Sequence, residues 1–163
     1  LDIANAFLNG DLHETIYMTQ PPGYIKGDGS LVCKLHKPLY GLKQAPRAWF
    51  VKLYTTLHLV GFQATKSELS LFVRFHPKHT TFILSYVDDL VICGSCSIAL
   101  QHLINFLSYK FPIRDLGFPS FFLGIQVNQL VTNTLILTQT KYINDLLKRA
   151  NMVSAKPHQW WPI

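Results

Sequence analysis

Two adjacent aspartates, Asp88 and Asp89, interrupt the apolar stretch ILSYVDDLVICG (83–94). Residues 81–87 and 90–93 read as strands, so the pair occupies the position of a two-residue hairpin turn. Asp is a common turn former, and a solvated surface turn is the simplest account. Two-residue turns favour Gly or Asn at positive φ, however, which makes Asp-Asp a poor choice. The apolar flanks also imply low-dielectric surroundings, where adjacent carboxylates repel and one would stay protonated. A divalent cation removes that conflict by becoming the largest local charge. Carboxylate oxygens suit Mg²⁺ or Mn²⁺. A further ligand must come from elsewhere, and Asp2, on the apolar segment LDIANAF, is the natural supplier. Convergence of Asp2, Asp88 and Asp89 would place three of the chain's nine acidic residues in one pocket of a basic protein. Two metals about 3.5–4 Å apart stabilise the attacking and leaving oxygens of phosphoryl transfer.

The elements that would position these residues are short. The chain has 163 residues, enough for one core. Hydrophobic residues make up 48% and charged residues 15%, and mean hydropathy is +0.17, which argues against disorder. No apolar run approaches the roughly 18 residues of a membrane span, and no basic-then-apolar leader opens the chain. Residues 1–7, 16–18 and 31–35 read as strands. Residues 45–60 read as a helix, with Pro46 in its first turn and Gly61 just past its end; Trp49, Leu53, Leu57 and Val60 fall on one face. Strands follow at 71–75, 81–87 and 90–93, the first two joined by the turn HPKHT (76–80). A helix over 97–110 has Ser97 as its cap. Strands at 121–127 and 134–138 flank a turn at Thr132-Asn133, and a helix covers 140–151. Hairpin-like pairs mixed with helices, without regular alternation, give an α+β class.

The net charge is +6. Between Asp28 and Glu68 there is no acid, yet Lys34, Lys37, Lys43, Arg47, Lys52 and Lys66 fall there, interleaved with Tyr40, Trp49, Phe50 and Tyr54. Such a stretch suits a polyanion with stackable bases; the alternative is a helix with a solvated basic face. The three cysteines, Cys33, Cys93 and Cys96, do not make a secreted disulfide framework, so a reducing, intracellular, cytoplasmic setting is expected. Cys93-Gly94-Ser95-Cys96 has thiol-redox spacing, but zinc would need a second ligand pair.

YVDD between apolar strands resembles the signature of reverse transcriptases. LDIANAFLNGDLHETIYMTQPPGY, LYGLKQAPRAW and FFLGIQV…LTQTKYINDLL resemble, in that order, the polymerase of copia-type retrotransposons. The resemblance covers nearly the whole chain. It implies a polymerase palm, an antiparallel sheet backed by helices, over 1–138, with the start of the thumb over 139–163. It implies two Mg²⁺ (or Mn²⁺) ions held by Asp2, Asp88 and Asp89 as catalytic residues. Nucleotide-binding positions would be Ile3, Phe7, Tyr40 and Lys43. Phe7 matches the aromatic gate that lies under the sugar and rejects a 2′-hydroxyl. Nucleic-acid-binding positions would be Arg47 and Tyr86, together with Phe122, Leu123 and Gly124 in the segment that resembles the primer grip. Partners would be an RNA/DNA template-primer and deoxynucleoside triphosphates, with no membrane. The family's fingers and RNase H regions lie outside this stretch, so the 163 residues alone are expected to bind nucleic acid without extending a primer. Family members usually carry Lys near Arg114, where it would protonate pyrophosphate; Arg is a poor general acid. Two other readings are a catalytically silent nucleic-acid-binding remnant of the same family and a thiol oxidoreductase using Cys93 and Cys96.

Overall fold

The structure is a computed structural model that describes residues 1–131 and 134–155. The expected turn at Thr132-Asn133 and the terminal Trp160-Trp161 lie outside the described residues. The chain divides into two compact units, Leu1–Leu116 and the residues from Gly117 onward.

The first unit runs β1 (Asp2–Ile3), a 3-10 turn (Ala6–Asn9), β2 (Tyr17–Thr19), β3 (Val32–Lys34), α1 (Ala45–Leu59), β4 (Gln63–Ala64), β5 (Leu71–His76), β6 (His79–Tyr86), β7 (Asp89–Gly94), α2 (Ser97–Lys110) and β8 (Ile113–Arg114). Six strands form one antiparallel sheet in the order β4-β5-β6-β7-β1-β8, while β2 and β3 pair separately. The α+β class with antiparallel pairing is therefore borne out. Alternation sends Ile3, Phe72, Ile83 and Leu90 to one face of the sheet, where they pack with Trp49, Leu53 and Leu57 of α1 and Leu103 and Leu107 of α2.

Helix α1 ends as its sequence directs. Gly61 takes φ 85°; its N–H bonds the His58 carbonyl, and the Phe62 N–H bonds that of Leu57. That is a Schellman motif, and Phe62 and Leu57 supply its apolar contact in the core. At the other end, Gly10 lets the preceding loop lie on the helix. A Cβ there would stand 3.0 Å from the Ala48 carbonyl carbon and the Trp49 nitrogen.

Several boundaries differ from the sequence expectation. The strand expected over 1–7 is confined to Asp2–Ile3, because Asn5 adopts φ 51° and turns the chain into the 3-10 segment. Asn tolerates this left-handed conformation better than most residues. Ser97 is the first residue of α2 and Cys96 its cap position. The turn after β5 tightens to Pro77-Lys78, since His76 pairs with His79.

The second unit holds β9 (Phe121–Phe122), β10 (Ile125–Gln129), β11 (Leu135–Thr138) and α3 (Thr140–Arg149), with sheet order β11-β10-β9. The single strand expected over 121–127 is instead a hairpin. Ile125 pairs with Phe122, and the two residues between, Leu123 and Gly124, both have positive φ, 48° and 81°. Positive φ at both positions is the type I′ pattern, whose twist suits paired strands.

Candidate active site

The site is laid out by strand register. Tyr86 pairs with Asp89 across β6 and β7, Asp89 with Asp2 across β7 and β1, and Asp2 with Arg114 across β1 and β8. Residues directly opposite one another project from the same face. Tyr86, Asp89, Asp2 and Arg114 thus form one row across four strands. The row lies on the face away from α1 and α2, because the alternating neighbours Ile3 and Leu90 are core residues, each 1% exposed. Backbone bonds fix the register. The Leu1 nitrogen donates to the Leu90 carbonyl at 2.8 Å, the Leu90 N–H returns to Leu1 at 2.9 Å, and the Ile3 N–H donates to the Asp88 carbonyl at 2.8 Å.

The hairpin turn is shifted by one residue from the sequence expectation. Its two turn residues are Val87 and Asp88; Asp89 is already the first residue of β7. Val87 has φ 54°, a region in which a β-branched residue is an outlier and which costs on the order of 1–3 kcal/mol. A buried group offsets this: the Trp49 indole N–H donates to the Val87 carbonyl at 2.6 Å. Trp49 itself is 2% exposed and meets the Phe111 ring edge-on at 5.1 Å. Sequence reasoning placed Trp49 only in the core. The available signal was that a buried Trp needs an acceptor for its N–H.

Asp88 and Asp89 are half-buried. Burial pushes the Asp89 carboxyl above its ordinary value, and the neighbouring charges of Asp88 and Asp2 push the same way. Burial also raises Tyr40, again with contributions from Asp88 and Asp2. Asp88 and Asp2 therefore act on both Asp89 and Tyr40. Phe7 and Tyr40 meet ring to ring at 4.3 Å, Phe7 half-buried on the 3-10 turn and Tyr40 55% exposed. Lys43 and Arg47 are exposed, just before and within the first turn of α1. Ile3 turns its side chain into the core. Phe122, Leu123 and Gly124 lie in the β9–β10 hairpin of the second unit.

Oxygen donors concentrated around mutually repelling carboxylates are the donor set a hard divalent cation requires. No ion pair neutralises Asp2, Asp88 or Asp89 among the described residues. No three His, Cys, Asp or Glu side chains form a metal-holding cluster among the described residues. The donor chemistry is that of a hard-cation site, and the strand register sets Asp2 opposite Asp89. Cys93 is exposed at the β7 end, Cys96 is half-buried, and both are free thiols. No helix among the described residues is long and apolar enough to cross a membrane.

A family profile described as reverse transcriptase (RNA-dependent DNA polymerase) matches residues 1–163. The chain is 47% identical to the retrovirus-related Pol polyprotein from transposon RE1 of Arabidopsis thaliana, over 96% of its own length and 11% of that protein's. It is 42% identical to the corresponding polyprotein from transposon TNT 1-94 of Nicotiana tabacum, over 96% of its length and 12% of the relative's. It is 32% identical to a putative transposon Ty5-1 protein of Saccharomyces cerevisiae, over 88% of its length and 47% of that protein's. No solved structure matches it. The chain spans about a tenth of the two plant polyproteins, and over its whole described length it belongs to the reverse transcriptase family.

Proposed function

We propose that this chain carries the nucleotidyl-transfer centre of an RNA-directed DNA polymerase from a copia-type retrotransposon Pol polyprotein. On this reading residues 1–138 are the palm and 139–163 open the thumb. The observation that carries the reading is the cross-strand row Tyr86–Asp89–Asp2–Arg114, with Asp88 in the adjoining turn.

Asp2, Asp88 and Asp89 would hold two Mg²⁺ or Mn²⁺ ions. When bound, the ions make the primer 3′-hydroxyl a better nucleophile and stabilise the triphosphate and the departing pyrophosphate. The chain's own residues bind and orient. Phe7, braced by Tyr40, sets the floor beneath the sugar and leaves no room for a 2′-hydroxyl. Lys43 supplies positive charge for the triphosphate, and Arg47 for the template phosphates. Arg114, opposite Asp2, contributes fixed charge rather than a proton, because a guanidinium is a poor general acid. Ile3 contributes through its backbone. Tyr86, exposed at the end of β6, faces the template-primer, and Phe122, Leu123 and Gly124 seat the primer end.

The test is a transplant. The chain replaces the matching segment of the RE1 polyprotein polymerase, and deoxynucleotide incorporation is measured on poly(rA)·oligo(dT) with Mg²⁺ or Mn²⁺. Metal-dependent incorporation that disappears in Asp88→Asn is expected. Incorporation that survives both Asp88→Asn and Asp2→Asn would remove these residues from the chemistry. A folded chimera that binds template-primer without incorporating would favour the silent, nucleic-acid-binding reading.

A further inference from the structure

We infer that Trp49 is a positioning residue for the Asp88-Asp89 turn: its indole N–H holds Val87 in the left-handed conformation that sets where the two aspartates emerge. The inference rests on the reading of those aspartates as the metal-binding pair.

Four non-glycine residues have positive φ among the described residues, and Val87 is the one that is β-branched. Valine does not enter this region by preference, so something outside the turn must hold it there. Packing is insufficient. Val87 is 38% exposed, and an apolar cavity of about 160 Å³, lined by Phe7, Trp49, Ser85 and Val87 among others, lies beside it. A turn with empty space at its flank can relax into that space. What opposes relaxation is a directed bond, the 2.6 Å contact from Trp49 Nε1 to the Val87 carbonyl.

The two ends of that bond differ in rigidity. Trp49 is fixed on several sides: by its place in the core, by the Phe111 ring and by the close approach of Gly10 to its backbone nitrogen. The next carbonyl, that of Asp88, is held from the other side by the Ile3 N–H. Two consecutive carbonyls are thus tied, one to α1 and one to β1. The strand tie sets the register, and the helix tie sets the conformation of Val87. A side chain 38 residues away in sequence then governs the aim of Asp88 and Asp89 without touching substrate.

The experiment separates the donor from the ring. Trp49 is replaced by benzothienylalanine, which keeps the bicyclic shape and puts sulfur in place of N–H, and in parallel by Phe. Each is made in the Val87 and the Val87→Gly background. In the metal-free chain, the Val87 Cα and Cβ chemical shifts report its backbone conformation. They are expected to move from left-handed toward extended values once the donor is gone, while Leu53 and Ile83 shifts stay fixed. Unchanged Val87 shifts in the benzothienylalanine protein would overturn the inference, and that isosteric variant decides the matter if Trp49→Phe does not fold. Mn²⁺ titration supplies the second readout. Loss of the donor should weaken binding about tenfold in the Val87 background and about twofold or less in Val87→Gly, where no strain needs holding. Equal weakening in both backgrounds would mean that Trp49 acts through general packing, against the inference. Absence of Asp88-dependent Mn²⁺ binding in the parent chain would instead refute the proposed function, leaving the shifts to decide the role of Trp49.

Discussion

Asp2 lies directly opposite Asp89 in the antiparallel ladder of β1 and β7, so two carboxylates separated by 87 positions in sequence leave the sheet side by side. Burial and the charges of Asp88 and Asp2 raise the Asp89 carboxyl above its ordinary value. A carboxyl raised in the fold binds its proton more tightly there than in the unfolded chain. Its stabilising contribution is full below the unfolded value, near 4, and is lost as pH rises through the raised folded value. Asp89→Asn should therefore gain stability over the parent as pH rises from 4 to 7 without metal. Thermal melts at both pH values measure this. A constant difference between the two proteins would mean that Asp89 feels no acidic cluster.

Gly10 is required for packing rather than for its φ. A Cβ would meet the backbone of Ala48 and Trp49 at 3.0 Å, and backbone atoms inside a helix cannot move aside. Gly10→Ala should destabilise the chain by about 1–3 kcal/mol, the usual range for overpacking. The urea midpoint should fall with little change in slope. An unchanged midpoint would show that the loop can lift off α1 freely.

What could be read from the sequence divides along the lines of local and tertiary control. Helix α1 was legible because Pro46 and Gly61 act locally at its two ends. The antiparallel character of β5, β6 and β7 was legible from short apolar runs and turns. The turn at the aspartates was placed one residue late because valine is not a turn former; Val87 takes positive φ in contact with Trp49, a tertiary influence no local rule contains. The β9–β10 hairpin was read as one strand, although Gly124 inside it was a local signal for a break. Strands β4 and β8, two residues each, are too short to show periodicity, and so the facing of Arg114 and Asp2 could not be anticipated. The scarcity of acids pointed to Asp2 as a neighbour for the pair, and the register sets it opposite Asp89.

The contact between Phe7 and Tyr40 at 4.3 Å braces the ring proposed to lie beneath the sugar. In the RE1 chimera, Phe7→Val should relax discrimination against ribonucleotides by on the order of tenfold, comparable to loss of steric exclusion in a shaped pocket. Tyr40→Ala should relax it less, because it removes the brace and leaves the ring. Steady-state incorporation of dTTP against UTP provides the ratio. An unchanged ratio in Phe7→Val would reduce Phe7 to a packing residue.

The basic stretch is not uniformly available to a polyanion. Asp11 accepts a 2.8 Å bond from Lys52 and lies 3.6 Å from Lys37, and the Lys52 bond is the main cause that holds its carboxyl below the ordinary range. No such partner engages Lys43 or Arg47 among the described residues, and both are exposed. Each phosphate contact released by mutation should flatten the dependence of log affinity on log salt by roughly 0.7–0.9. Lys43→Ala and Arg47→Ala are each expected to show that change in anisotropy titrations with a poly(rA)·oligo(dT) duplex. Lys52→Ala should leave the slope nearly unaltered, because its charge is already offset by Asp11. A Lys52→Ala slope as flat as that of Arg47→Ala would mean that nucleic acid displaces Asp11 and that the whole helix face, rather than its N-terminal end, forms the contact.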